Sequence, residues 1–258
     1  MVRGFYTLAS GMLTAQRQLE TISNNVSNVR TPGFKRQTLT SSSFSDTLTA
    51  RLEQGSSQKI GKGSIVRYAD VLHTDYGQSS YTETSIPFDF ALVGEGFFRL
   101  QSFDETMEQT LLTRSGHFSL DGDGYLVQPN GGRLLGENGP IQLDSADFAV
   151  DENGYIYVGT EDSPADRISL AFPTDYQDLT TYREGYFLDN NAQNEEQPTL
   201  PEFYATSILQ GRLEDSNVDM AEETSSMMAT SRSFQSYSQA IKIMDRIINK
   251  SVTEIGRV

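Results

Sequence analysis

Cysteine and tryptophan are absent from the 258 residues, and histidine occurs only twice. The missing thiols exclude disulfides, thiolate metal sites and cysteine nucleophiles, and they leave the redox compartment open. His73 and His117 lack the neighbours, at recognisable spacing, that a zinc site or a Ser-His-Asp arrangement needs, so each reads as a surface or turn histidine. Long apolar runs are lacking as well. A bilayer span takes about 20 residues, and the best candidate, FDFALVGEGFF, is interrupted by Asp89 and Glu95, so a soluble chain without membrane insertion is expected. The opening MVRGFYTLASGMLTAQRQLE turns polar by Gln16 and carries no secretory cleavage pattern, so any export is expected to retain the N-terminus.

Positive charge is scarce in the middle of the chain. Residues 37–219 hold ten Lys/Arg against thirty Asp/Glu, within a whole-chain net charge of −15, whereas residues 1–36 hold five against one. An acidic body of this kind repels phosphates and excludes general nucleic-acid binding. Signals of ligand chemistry fail on their own terms. Gly94-Glu95-Gly96 begins like a dinucleotide fingerprint, but Arg99 takes the third glycine position, and a bulge or close backbone approach is expected instead. Asp121 and Asp123 begin like a calcium loop, but Tyr125 and Gly132 stand where ligands belong, so a Gly/Asp hairpin is expected. Thirty acids make chance carboxylate pairs unavoidable, and a cell-wall glycan hydrolase is kept only as a remote alternative. No catalytic residue, cofactor or metal is assigned.

What the chain does have is helical periodicity at both ends. Phe5, Leu8, Met12, Ala15, Leu19, Ile22, Val26 and Val29 alternate spacings of three and four, a heptad seam over more than three repeats. Its flanks are mostly uncharged Ser, Thr, Gln, Asn and Gly, where a solvated coiled coil carries Glu and Lys, so packing on several sides is expected. Met220, Met227, Phe234, Ile241, Ile248 and Ile255 recur every seven residues, with Tyr237 and Met244 three further on. Two such helices pair most simply with each other. That pairing alone would be satisfied by a monomer whose termini are tied together.

Between them the texture is β. Residues 37–68 show no sustained period and read as an extended linker with short strands. From about Val71 to Ile208, apolar or alternating runs are separated by turn signals, among them Asn130-Gly131, Asn138-Gly139 and Asn153-Gly154, which favour tight hairpins. An antiparallel β domain is predicted.

The run SNNVSNVRTPGFKR, residues 23–36, ends the first seam in a Thr-Pro-Gly break followed by two cations. It resembles the signature of the bacterial flagellar rod and hook protein family through Asn24, Asn25, Asn28, Thr31, Gly33, Phe34 and Lys35, with Val26 and Ser27 as mild departures. DFALVGEGFFRL, LLTRSGHFSLDGDGYLV and GGRLLG are similar to the family's central β blocks, and SNVDMAEETSSMMATSRSFQSYSQAIKIMDRIINKSV to its C-terminal helix, with residues 224–228 less apolar than usual there. The family resemblance implies a structural subunit of the basal-body rod. Such a subunit polymerises with itself and neighbouring rod or hook subunits into a hollow helical tube that transmits torque, and is exported by the flagellar type III apparatus. A hook or hook-junction component is the alternative. The length with a single β domain is similar to the proximal and distal rod proteins, and the IGKGSIV stretch resembles the distal-rod linker.

The expected fold is therefore α+β. Residues 1–30 and 218–258 form a discontinuous terminal coiled-coil hairpin, residues 31–70 an extended linker with short strands, and residues 71–210 a central, mainly antiparallel β domain. Pro32 and Gly33 are expected to stop the helix and turn the chain, Phe34 to anchor the turn, and Lys35 and Arg36 to meet the acidic body of this or an adjacent subunit.

Overall fold

In a computed structural model of the chain, residues 2–43, 47–53, 56–63, 67–103, 110–129, 132–143, 148–159, 163–173, 175–183, 185–189 and 206–255 are described. Two compact units emerge: Met1–Ser27 with Arg36–Asp75 and Val218–Val258, and Asn28–Lys35 with Tyr76–Asn217. The first is built on helices, the second on strands, so the chain is α+β.

In the helical unit, α1 spans Val2–Ser27 and α2 spans Met220–Ile255. Both follow the apolar spacing of the sequence, and neither contains proline. Asp219 caps α2: its Oδ1 accepts the backbone N–H of Ala221 at 2.8 Å and of Glu222 at 3.3 Å, and Glu222 and Glu223 place negative charge in the first turn. The two helices pack against each other, and Gly11 explains how closely. A Cβ there would lie 3.0 Å from Cζ of the Tyr237 ring, so the absent side chain admits the aromatic. Glycine in a helix interior costs about 1 kcal/mol against alanine, and this contact offsets it. The strand Gln37–Ser43 runs antiparallel to Arg67–Thr74, and Thr47–Glu53 to Ser56–Gly63, giving two nested ribbons that each carry a register shift. Helix α1 packs along the first ribbon.

The β unit is antiparallel throughout its strand pairs. Its main sheet runs in the order Leu179–Arg183, Tyr186–Asp189, Thr110–Thr113, Phe97–Ser102, Gly132–Leu134, Leu126–Gln128, Ser119–Leu120, with Leu170–Ala171 also paired to Phe97–Ser102. Phe148–Val150, Tyr155–Val158 and Asp166–Arg167 form a three-stranded sheet. Phe90–Val93 pairs with Ser207–Gln210, and Tyr81–Glu83 with Arg212–Glu214.

Phe97–Ser102 contributes to two apolar clusters. Phe98 and Leu100 enter the main core with Phe90, Leu126 and Ile156, whereas Phe97 packs on the other side with Leu112, Ala171 and Phe187. Asn153-Gly154 closes a hairpin, with the Gly154 N–H donating to the Asp151 carbonyl at 2.8 Å, and 121–124 forms the expected Gly/Asp turn, closed by the Gly124 N–H on the Asp121 carbonyl at 3.0 Å. Asn138-Gly139 also lies in a turn, bracketed by the Leu135–Pro140 bridge. Asn130-Gly131 lies outside the described residues.

Candidate assembly site

Residues 23–36 end α1 and contribute to both units, and each contribution has its own hydrogen-bonded anchor. In the helical unit the anchor is Asn25, 1% exposed. Its Nδ2 donates to the Gln37 carbonyl at 2.8 Å, and its Oδ1 accepts the Gln37 N–H at 3.0 Å. The amide thus imitates a neighbouring strand and satisfies both backbone groups of the first strand residue, with a separate donor and acceptor side by side on one planar group. Next to it, Arg36 forms a two-pronged pair with Glu222, Nη1 at 3.2 Å and Nη2 at 3.0 Å, and its Nε reaches Glu223 at 2.7 Å. The hydrogen bond to Glu222 is the main reason that the Arg36 pKa is raised; desolvation opposes it, and the Glu223 charge adds to it. The expected acidic partner of Arg36 is therefore the first turn of α2 rather than the strand-rich body.

In the β unit the same stretch forms a tight, buried turn. The Thr31 N–H donates to the Asn28 carbonyl at 3.0 Å, and its hydroxyl donates to Asn28 Oδ1 at 3.0 Å. Gly33 adopts φ 68°, a left-handed conformation, and donates its N–H to the Glu214 carbonyl at 2.8 Å. A Cβ at this glycine would lie 2.6 Å from the carbonyl carbon of Arg114 and from the nitrogen of Ser115. Both conformation and space therefore require glycine. Phe34 is buried, as an anchor of the turn must be.

Lys35 is buried too, and its Nζ donates to Glu214 Oε1 at 2.7 Å and to the Gly77 carbonyl at 2.8 Å. The other carboxylate oxygen accepts Arg114 Nε at 2.7 Å, and the Ser79 N–H reaches Oε1 at 3.2 Å. Arg114 spends its remaining donors on the carbonyls of Gly94, Gly96 and Leu92. Gly94 and Gly96, both at positive φ, thus turn their carbonyls to a cation, which is what the GEG segment does in place of phosphate binding. Tyr81 bonds the Leu92 carbonyl at 3.0 Å, and its pKa is raised by burial first and by the Glu214 charge second. One carboxylate holds two buried cations here, and the arrangement is a structural clasp.

Three family descriptions match the chain in order: "Flagella basal body rod protein" over residues 5–35, "Flagellar hook protein FlgE/F/G D1 domain" over 91–160, and "Flagellar basal body rod FlgEFG protein C-terminal" over 209–254. The flagellar basal-body rod protein FlgG of Bacillus subtilis is 31% identical, over 98% of this chain and 98% of its own length. This chain belongs to the flagellar basal-body rod protein family. Another similar protein, the flagellar hook-basal body complex protein FlhO of the same organism, is 29% identical over the full length of both chains. The flagellar hook protein FlgE of Treponema pallidum is 37% identical, but over 53% of this chain and only 30% of that protein.

Within this rod-family chain, Asn25 lies in the strand-like clamp, and Asn28, Thr31, Gly33, Phe34 and Lys35 lie in the buried turn; Asn24 is half-buried on α1. The seam residues are covered unevenly. Ala15 is buried; Leu8, Met12, Leu19, Ile22, Val26, Val29, Met227, Phe234, Tyr237, Ile241, Met244 and Ile248 are half-buried; and Phe5 is exposed. The Ile255 side chain lies outside the described residues. Sequence reasoning missed Glu214, the partner of Lys35, because 179 residues separate them. It also missed that His117 has a partner: its Nδ1 lies 2.7 Å from the buried Asp89. The only advance signal was Arg114, inside the LLTRSGHF block.

Proposed function

We propose that the chain is a structural subunit of the flagellar basal-body rod that polymerises through its two terminal helices, paired as a coiled-coil hairpin, into a hollow axial tube. One observation carries this reading: the helices are unfinished as monomer elements. Most heptad residues are only half-buried, and Tyr6, Leu13, Met228, Ile243, Ile247 and Val252 stand exposed on the same two helices. Covering one large apolar side chain is worth about 1.5–3 kcal/mol, so neighbouring copies that complete these faces would drive assembly strongly. At 36 residues, α2 is a rod element on its own scale, about 54 Å long at 1.5 Å per residue.

The division of labour follows. Residues 1–30 and 218–258 supply the helical core of the tube, 31–70 the ribbon-bearing link, and 71–210 the β domain, while the signature turn fixes where the chain leaves the first helix. The seam residues and the motif residues are the assembly determinants. The subunit resides in the basal body, meets neighbouring rod and hook subunits, and reaches its place through the flagellar type III apparatus. Its work is mechanical, and it needs no cofactor.

Deletion of the gene, followed by electron microscopy of purified basal bodies, tests the proposal. The expected result is an axial structure that is missing or stops short of the hook, restored by the full chain supplied in trans. Complete basal bodies and normal swimming in the deletion strain would overturn it.

A further inference from the structure

The two seams do not fix how the helices align. Both repeat every seven residues, as Met12, Leu19 and Val26 do in α1 and Phe234, Ile241 and Ile248 in α2. Sliding one helix along the other by seven residues, about 10.5 Å at 1.5 Å per residue, would lay apolar positions on apolar positions again. A feature outside the seams has to select one alignment.

Glycine supplies it. α1 contains two glycines, Gly4 and Gly11, and α2 contains none. Glycine weakens a helix interior, yet both face a large side chain of the other helix. A Cβ on the buried Gly11 would lie 3.0 Å from Cζ and 3.1 Å from Cε1 of Tyr237, and a Cβ on Gly4 would lie 3.3 Å from Cε of Met244. The helices are therefore antiparallel, and the spacing of the two glycines, seven residues, equals that of the two side chains they admit. Seven residues further along the same alignment stand Gln18 and Thr230, which line one open cleft of about 240 Å3. No glycine and no large apolar side chain meet at that step.

We propose that Gly11, with Gly4 as its auxiliary, is a notch that sets the register of α1 against α2, and that these glycines are thereby positioning residues for assembly. A slip of seven residues in one direction would bring Tyr237 against Gln18 and leave Gly4 opposite Ser251; a slip in the other would set Thr230 on Gly11. The observed alignment fills both notches, with an aromatic ring and a thioether. Register fixes the level of Tyr6 and Leu13 on α1 relative to Met228, Ile243 and Ile247 on α2, all of them exposed. A slipped pair would offer neighbouring copies a different surface. The inference rests on the rod reading and adds to it the residues that make the helical assembly surface unique.

Full-length variants supplied to the deletion strain test the notch. Gly11→Leu raises helix propensity, so a gain in helix alone would help assembly. The expected result is the opposite: swimming is lost, and the amount of the chain in basal bodies falls about tenfold or more, the size of an overpacking penalty. The purified variant should still show the wild-type melt of the β unit, which contains neither Gly11 nor Tyr237. Adding Tyr237→Ala to Gly11→Leu should restore swimming, because the leucine then fills the space the ring leaves. Register itself is read by cross-linking, for which a chain without cysteine gives a clean background. In basal bodies treated with a short bismaleimide, Gly4→Cys with Met244→Cys should link within one chain, and Gly4→Cys with Ser251→Cys should not. Assembly of Gly11→Leu at the wild-type level, no gain from the added Tyr237→Ala, or stronger linkage at 251 than at 244 would overturn the notch and leave the rod reading standing. Absence of the unmodified chain from basal bodies would overturn both.

Discussion

Lys35 and Glu214 form an ion pair of 2.7 Å in which each side chain is 1% exposed, and Arg114 holds the other oxygen of the same carboxylate at 2.7 Å. Two buried cations therefore depend on one anion, and the three residues tie the signature turn to the strand Arg212–Glu214 and to the end of Thr110–Thr113.

Unequal dependence makes the order of substitution effects testable. Glu214→Gln strips the carboxylate from both cations and should destabilise the β unit by about 3–5 kcal/mol. Lys35→Met leaves Glu214 with Arg114 and the Ser79 N–H, so a loss of about 1–3 kcal/mol is expected. Urea unfolding followed by circular dichroism would check the order, and equal losses would contradict the shared-anion account.

Gly33→Val should abolish swimming and lower the stability of the β unit together. The backbone is left-handed there, and the new Cβ would press on the Arg114 and Ser115 backbone at 2.6 Å, which cannot swing aside as a side-chain tip can. Even Gly33→Ala should be poorly tolerated. Motility in soft agar combined with a thermal melt of the purified chain reads both effects. A variant that melts normally yet does not assemble would mean that the turn acts only between subunits.

Burial pushes the Tyr186 phenol up to about 12, and its hydroxyl donates to the Pro129 carbonyl at 2.8 Å. The ordinary tyrosine value is about 10, so the fold favours the neutral form. That contribution is fully present below pH 10 and is lost as the pH rises towards 12. Wild type should exceed Tyr186→Phe in stability by about 1 kcal/mol at neutral pH. The gap should shrink and reverse sign between pH 10 and 12 in parallel denaturation series.

Ile243 and Ile247 are 55% and 52% exposed on α2. Changing both to Gln should leave the monomer's thermal unfolding nearly unchanged, because surface substitutions usually stay within about 0.5 kcal/mol. Assembly and swimming should nevertheless fail. Sedimentation of the purified protein and motility of the complemented strain separate the two outcomes; normal polymers would remove this face from the assembly surface.

One copy leaves most of the α1 seam only half-buried, so amide exchange of residues 5–28 should be markedly faster in a dilute, verified monomer than in the polymer. Strong protection in the monomer would show that the hairpin folds without neighbours.

The heptads were readable because helix periodicity is local: three- and four-residue spacings place apolar side chains on one face whatever lies beyond. Asn-Gly and Asp-Gly turns were readable for a similar reason, since positive φ is a property of one or two residues. The seam did not reveal how completely it is covered. The close approach of Tyr237 over Gly11 follows from two helices meeting, and no spacing within either helix encodes it.

By itself, the sequence determined the α+β class, two seam-bearing terminal helices, an acidic strand-rich middle and a glycine-dependent turn in the family signature, all of which rest on interactions among neighbouring residues. Tertiary structure alone decided which carboxylate neutralises Lys35 and that Asn25 closes on both backbone groups of Gln37. Those are matters of burial. A charge or amide removed from water must find a partner, and the partner is chosen by packing, here between residues 179 positions apart.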